Sequence, residues 1–393
     1  MKVFHTSDWH LGHTLYDYER IEEHTSMLRQ IEEIVLSEKP DVFLLAGDVY
    51  HTSQPSASVQ TMFTNALVRI HNACPSMTII VTAGNHDSGT KHEIFKTPWE
   101  TLNVHSIGNL DKDHIEQHII YIYNKGYIVA VPYSYERNIP DGFFQELLDK
   151  VGEMNVNQLP VIMTAHTTVS GCDFTGHENA SEYTVGGIDS YKLEEMGSGY
   201  DYLALGHIHH AQYLRGSNNR ARYCGSPLPV SFDETYEHSI SLIELEHHGD
   251  TPVVTTIQIE NPHPLVSLPV KGTASWDEVK KELKDYPKDI PAYIRLNVEI
   301  TDALPPTCRA EAIALLEKKE ARFCYINTSR KQKGQSNERD LTITEFQQQQ
   351  PIDIAQQYFE DSGITFDEDL KNLFKEVVDT VNENERNEEQ NQN

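Results

Sequence analysis

Five short motifs constrain this chain more than anything else in it: Asp8-Trp9-His10, Gly47-Asp48, Gly84-Asn85-His86-Asp87, Ala165-His166 and Gly206-His207-Ile208-His209. Each stands at or just past the C-terminal end of a run that reads as a β-strand: residues 3–6, 41–46, 77–83, 161–165 and 202–205. In an open α/β sheet the carboxyl ends of the strands converge on one crevice, so residues far apart in sequence meet there. Within D-x-H and H-x-H the i, i+2 spacing sends both side chains to the same side of an extended backbone. The glycines permit tight turns and close backbone approach beside such a crevice.

The strand count then limits the fold. Further strands are expected at 119–123, 127–131 and 240–245, with helices at 18–37 and 58–73. That is too many strands for one small sheet. The expected fold class is α/β, with two packed β-sheets flanked by helices over residues 1–260. With 393 residues the chain has room for two or three domains. Beyond Pro262-His263-Pro264 its character changes. Residues 265–327 read as a small β-α-β-α-β unit, with strands at 265–270, 293–300 and 323–327 and helices at 276–286 and 309–319. A polar stretch with Arg330, Lys331, Lys333 and Arg339 follows, then a helical pair over 351–381 and an Asn/Glu/Gln-rich tail over 382–393 that reads as disordered.

Composition narrows the class of function. No run approaches 18 apolar residues, which argues against a membrane span. The first residues read as structure and not as a leader, so a cytoplasmic protein is expected. Five cysteines, scattered and without a C-x-x-C pair, argue for reduced thiols and against a disulfide framework or a thiolate zinc site. A net charge of −28 argues against a free-standing nucleic-acid binder, since phosphate contacts are normally made by a basic surface. The acidity lies over residues 1–260 and in the tail, while 261–344 is close to neutral.

The donor types point to a metal site. The motifs offer imidazole nitrogen, carboxylate oxygen and an amide oxygen but no thiolate, a set suited to divalent Mn, Fe or Zn. Of the 20 histidines only His263 falls after residue 260. Seven candidate ligands, Asp8, His10, Asp48, Asn85, His166, His207 and His209, are too many for one tetrahedral ion. They suit two octahedral ions sharing a carboxylate, and a paired-metal site implies hydrolysis at phosphorus or a carbonyl.

The order D-x-H, G-D, G-N-H-D, H, G-H-x-H resembles that of the calcineurin-like metallophosphoesterases. The surrounding text is similar, more narrowly, to the SbcD family of nuclease subunits, relatives of the meiotic-recombination nucleases. The matching stretches include His5-Thr6-Ser7-Asp8-Trp9-His10-Leu11-Gly12, Val185-Gly186-Gly187, Asp201-Tyr202-Leu203-Ala204-Leu205-Gly206-His207-Ile208-His209 and the segment from Tyr223 to Glu234. The resemblance implies that Asp8, His10, Asp48 and His209 hold one metal while Asp48, Asn85, His166 and His207 hold the other, with Asp48 bridging. His86 takes the position of the family's catalytic histidine. His51 is either a contact to substrate backbone or an ordinary loop side chain. Asp87 and His210 are expected to be structural, and residues 167–176 are either a substrate-facing loop or a plain sheet connection.

The same resemblance implies two divalent ions, Mn2+ in the family, and a partner that uses ATP, which this chain does not. That partner is an SbcC-type coiled-coil ATPase, met by the apolar stripe Leu370, Leu373, Phe374, Val377, Val378 and Val381. It further implies DNA as substrate, a homodimer within a heterotetramer, a DNA-capping role for residues 265–340 and a place at the nucleoid. The implied activities are 3′–5′ exonuclease action on duplex ends and endonuclease action on single strands and hairpins, in repair and recombination. Two other readings stay open: a nucleotide or phosphoprotein phosphoesterase with the same metals, and a scaffold subunit with a structural metal site. The helix expected at 58–73, with Val59, Phe63, Ala66, Leu67 and Ile70 on one face, serves either the chain's own core or a homodimer contact.

Overall fold

The computed structural model describes residues 1–94, 96–176, 190–301, 303–330 and 370–371. Residues 1–331 form one unit and 332–393 a second, and all described residues except 370 and 371 lie in the first. The strands that carry the motifs are continuous apolar runs such as VFLLA at Val42–Ala46 and TIIVT at Thr78–Thr82, buried on both faces. Such runs belong in parallel sheets covered on both sides.

Two six-stranded sheets result. The first has the order Val253–Gln258, Ser239–Glu244, Lys2–Thr6, Val42–Ala46, Thr78–Thr82, Val104–Ile107. Its last four strands are parallel and its first two are antiparallel to their neighbours. The second sheet runs Gln212–Tyr213, Ala221–Tyr223, Tyr202–Gly206, Val161–His166, Gly126–Val131, Ile119–Ile122, with antiparallel edges and a parallel centre.

Side-chain alternation sorts the layers. Val3, Val42, Leu44 and Ile80 of the first sheet meet Ile120, Ile128, Ile162 and Ala204 of the second in a shared core. Phe4, Phe43, Leu45, Ile79 and Val81 point the other way, onto Met27, Leu28 and Ile31 of helix Ile21–Glu38 and Phe63, Leu67 and Ile70 of helix Ala57–Ala73. Helix Phe143–Met154 covers the second sheet's outer face through Phe143, Leu147 and Val151. The fold is thus the expected pair of packed α/β sheets flanked by helices. The apolar face of Ala57–Ala73 is buried in this chain's own core.

Some details differ from expectation. The first helix begins at Ile21, because Tyr18–Glu19 pairs with Thr14–Leu15 in a short hairpin. Strands Val104–Ile107, Ala221–Tyr223 and Val253–Gln258 and helix Phe143–Met154 are additional.

A third, all-parallel sheet orders Leu265–Leu268, Tyr293–Ile300 and Arg322–Arg330, with helices Trp276–Asp285 and Cys308–Leu316 between its strands. Its core of Val279, Leu283, Ile294, Leu296, Val298, Ala312 and Phe323 is a cluster of its own, apart from those of the two larger sheets. Lys331, Lys333 and Arg339, the helical pair at 351–381 apart from Leu370 and Lys371, the tail at 382–393 and Val185-Gly186-Gly187 lie outside the described residues. Among the described residues no helix is long and apolar enough to cross a membrane.

Candidate metal centre

The five motifs do converge. The loops leaving Lys2–Thr6 and Val42–Ala46 are tied together by backbone bonds: Asp8 N–H donates to the Gly47 carbonyl at 3.0 Å, His10 N–H to Asp48 at 3.1 Å, and Leu11 N–H to Val49 at 3.0 Å. Asp87 accepts from the backbone N–H groups of Val49, Tyr50 and Gly84 at 2.9–3.1 Å, which pins the Gly84–Asp87 loop on the Gly47–Asp48 loop. That is the structural role expected of it.

The approach is close enough to dictate glycine. A Cβ on Gly84 would stand 2.1 Å from Asp48 Oδ1, and one on Gly47, already at φ +86°, 2.1 Å from His166 Nδ1. Asp8, His10, Asp48 and His207 themselves have positive φ, at 53°, 44°, 50° and 94°. Backbone of this kind in non-glycine residues costs about 1–3 kcal/mol each, and it collects where side chains must be aimed.

Two adjoining nests result. In one, Nε2 of His10 and Nε2 of His209 face each other at 3.1 Å, Nε2 of His10 lies 3.6 Å from Asp48 Oδ2, and Asp8 closes the group. In the other, His166 Nε2 lies 3.1 Å from Asn85 Oδ1 and 3.4 Å from Asp48 Oδ2, and His207 Nδ1 lies 3.0 Å from the same Asn85 oxygen. Asp48 Oδ2 therefore faces both.

Two of the rings, His166 and His209, are held on their far sides. His166 Nδ1–H donates to the Ala46 carbonyl at 2.8 Å, and His209 Nδ1–H to Glu234 Oε1 at 3.0 Å. Asp8 accepts from the His207 backbone N–H at 3.1 Å and from Ser7 Oγ. Fixing one ring nitrogen this way selects the tautomer and turns the other toward the pocket, the usual support for a metal-binding imidazole.

The electrostatics fit a cation. Burial lowers His10 and His209, keeping both imidazoles neutral and their lone pairs available. Burial also opposes ionisation of Asp48, yet His166 and His10 beside it hold its carboxyl well below the usual carboxylate range. His166 is desolvated too, but the Asp48 carboxylate overrides this and pushes the imidazole up to about 9. The second nest thus draws positive charge to the point where His166, Asn85 and Asp48 converge. With N and O donors only, the Asp48 carboxylate between the nests and Asp8 within ligand range of both His209 and His166, the residues present suit hard or borderline divalent ions.

Asp8, Asp48, His166, His10 and His209 are buried, whereas Asn85, His86, His207 and His51 are half-buried and form the open side. There His86 stacks on His51, ring centroids 5.6 Å apart, and meets the edge of His10 at 4.9 Å. His86 Nδ1–H donates to the His51 carbonyl at 2.9 Å, and its backbone N–H to Asp48 Oδ1 at 2.9 Å. His10, His51 and His86 also bring ring nitrogens within 4.8 Å of one another. Thr168–Val169 pairs with Ser190–Tyr191, and Tyr223 Oη donates to Thr167 and accepts from Val169, so the start of the 167–176 stretch is a sheet connection. His210 stacks on Tyr236 and lies 3.3 Å from Asp173.

Sequence reasoning missed Glu234 and the Ala46 carbonyl as the groups that orient His209 and His166. A carbonyl leaves no mark in a sequence. Glu234 lies inside the matching stretch that ends at it, but nothing local shows that it reaches back 25 residues.

Residues 1–211 match the family model described as calcineurin-like phosphoesterase, which makes this crevice that of a phosphoester hydrolase. The chain is similar to three proteins named as the SbcD component of the SbcCD nuclease. The one from Rhodobacter capsulatus is 30% identical over 71% of this chain and 74% of its own length. That from Bacillus subtilis is 28% identical over 98% and 99%, and that from Escherichia coli 26% over 85% and 86%. The chain belongs to the calcineurin-like phosphoesterase family, in its SbcD branch, and is a phosphoester-hydrolysing enzyme.

Proposed function

We propose that this chain is the metal-dependent nuclease subunit of a complex with an SbcC-type ATPase, cleaving DNA at duplex ends by 3′–5′ exonuclease action and at single strands and hairpins by endonuclease action. The observation that carries the reading is the pair of donor nests meeting at Asp48, with His86 and His51 on their open side. Asp8, His10, Asp48 and His209 would hold one divalent ion and Asp48, Asn85, His166 and His207 the other, with Mn2+ the ion we assign. When bound, the two ions supply Lewis-acid charge to the phosphate and acidify the attacking water.

The chain's own residues do the rest. Asp48, ionised despite its burial, balances charge at the centre of the site. Ala46 and Glu234 fix which ring nitrogens of His166 and His209 face inward. His86, anchored through Nδ1 on the His51 carbonyl at the rim of the site, is placed to meet the scissile phosphate and to give a proton to the leaving 3′ oxygen. His51, stacked on His86 at the rim, is placed to contact the substrate backbone.

Residues 265–340 act in this reading as a cap that seats DNA over the site, the 351–381 segment as the dock for the ATPase, and the working form is a dimer of such pairs at the nucleoid. The balance of charge supports a shared task. The acidic catalytic region holds DNA weakly alone and depends on its partner for most phosphate contacts.

The test is the purified chain with Mn2+ on linear duplex, hairpin and mononucleotide substrates, with and without the ATPase. Cleavage of duplex ends and hairpins, accelerated by the ATPase and ATP, is expected. Hydrolysis of mononucleotides alone points to a small-molecule phosphoesterase, and no turnover with metal bound points to a scaffold.

A further inference from the structure

The turn Phe232-Asp233-Glu234 touches both the metal centre and the third sheet. On one side the Glu234 carboxylate, almost fully buried, accepts from His209 Nδ1–H at 3.0 Å and from the Val230 backbone N–H at 3.3 Å, and lies 3.7 Å from His238 Nε2. On the other side Arg295, from strand Tyr293–Ile300, grips the two preceding residues. Its Nη1 lies 2.6 Å from Asp233 Oδ1, its Nη2 donates to the Phe232 carbonyl at 3.2 Å, and its guanidinium covers the Phe232 ring at 5.3 Å. Its Nε donates to Ser267 Oγ at 3.0 Å, so the same side chain is anchored in the third sheet. The turn is braced within itself, with Asp233 N–H on Ser231 Oγ and Glu234 N–H on the Ser231 carbonyl.

Neighbouring Cα atoms lie about 3.8 Å apart across a rigid peptide plane, so a displacement of the Asp233 backbone is passed to Glu234. His209 turns about its side-chain bonds, and the bond from Nδ1 to Glu234 fixes that turn. Its opposite nitrogen is the one that faces His10 Nε2 at 3.1 Å.

We infer that Arg295, through Asp233 and Glu234, is a positioning residue for His209, so that the seating of residues 265–330 sets the affinity of the nest formed by Asp8, His10, Asp48 and His209. The inference rests on the metal-centre reading above. Arg295 itself touches neither the donor set nor the crevice contacts given above, which lets the link be cut without altering a ligand.

The experiment uses the full chain, titrated with Mn2+ by calorimetry and with Co2+ by visible absorption. Wild type takes up two ions. Arg295→Met weakens one binding step about 10-fold and leaves the other unchanged, and Glu234→Ala weakens the same step by about 10- to 100-fold, the range for losing a group that orients a metal ligand. Glu234→Gln, whose amide oxygen still accepts from Nδ1–H, stays within a few fold of wild type. In the Glu234→Ala background Arg295→Met adds nothing, the signature of two residues acting in series. Unchanged steps in Arg295→Met, equal weakening of both steps, or an additive effect in the double variant each overturn the link. Melting of the metal-free variants checks the fold. Should Arg295→Met fail to fold, Asp233→Asn must show the same selective loss to a smaller degree, and its absence overturns the link. Wild type that takes up no ion is a different failure, of the metal-centre reading itself.

Discussion

The region up to residue 260 and the smaller region at 265–330 both use parallel strands crossed over by helices, yet among the described residues only the first gathers metal-ligand side chains at its strand ends. In the first, the carboxyl ends of Lys2–Thr6, Val42–Ala46, Val161–His166 and Tyr202–Gly206 deliver Asp8, His10, Asp48, His166, His207 and His209. In the second, the strands end at Leu268, Ile300 and Arg330, and Asn297 is the only polar side chain buried among the described residues of 265–330. Parallel topology provides a place where strand ends meet; chemistry comes only where the chain also buries polar groups there. Such burial is visible in the first region's His5, His10, His24, His166 and His209, against a second region that contains no histidine.

The sharpest way to break this contrast is at its centre. Asp48→Asn removes the carboxylate whose Oδ2 lies between His10 and His166, and loss of both ions and a fall of activity to background are expected, measured by metal content and nuclease assay. Should the variant keep two ions, Asp48 is not shared. His86→Ser is the next largest change: both ions stay and turnover drops by about 10²- to 10⁴-fold, the usual contribution of a positioned acid or base. Loss of both ions would instead make His86 a support of the ligands.

In the smaller region the expected effects are on stability. Leu296→Ala removes a fully buried side chain from the apolar core and should cost about 2–5 kcal/mol, read from denaturant melts. Metal binding should change only as far as the seating of Arg295 does. A loss of both ions on this substitution would mean that the two regions are not separable in function.

The smallest effect is in pH. Burial lowers His5 and His24, each to about 3, with Arg222 and Arg20 respectively adding to it. A histidine whose folded pKa lies below its unfolded value stabilises the fold fully above about 6.5 and loses that contribution as pH falls toward 3. The metal-free first region should therefore weaken progressively from pH 6.5 downward, followed by thermal melts. Replacing His24 by Gln should flatten that slope, and an unchanged slope would show that its burial carries no acid sensitivity.

Much of this architecture is legible in the sequence because the informative residues are local. Apolar runs of four to six residues mark the buried strands, and Asp, His and Asn at their ends mark the crevice, so Asp8, His10, Asp48, Asn85, His166, His207 and His209 could be collected before any geometry. The details that escaped depend on contacts across the fold. Strand Val253–Gln258 is an edge strand with mostly exposed side chains, so its burial pattern is weak. Helix Ile21–Glu38 starts late because Tyr18–Glu19 is claimed by a hairpin partner. Glu234 matters only because the turn that carries it folds back onto His209 while its neighbour meets Arg295.

The proposed mechanism stands or falls on two ions sharing Asp48. Anomalous diffraction at the manganese edge, from crystals grown with Mn2+, tests it most directly. Two peaks are expected, one on each side of the Asp48 carboxylate, the first among Asp8, His10 and His209 and the second among Asn85, His166 and His207. A single peak, or two that do not both adjoin Asp48, would contradict it.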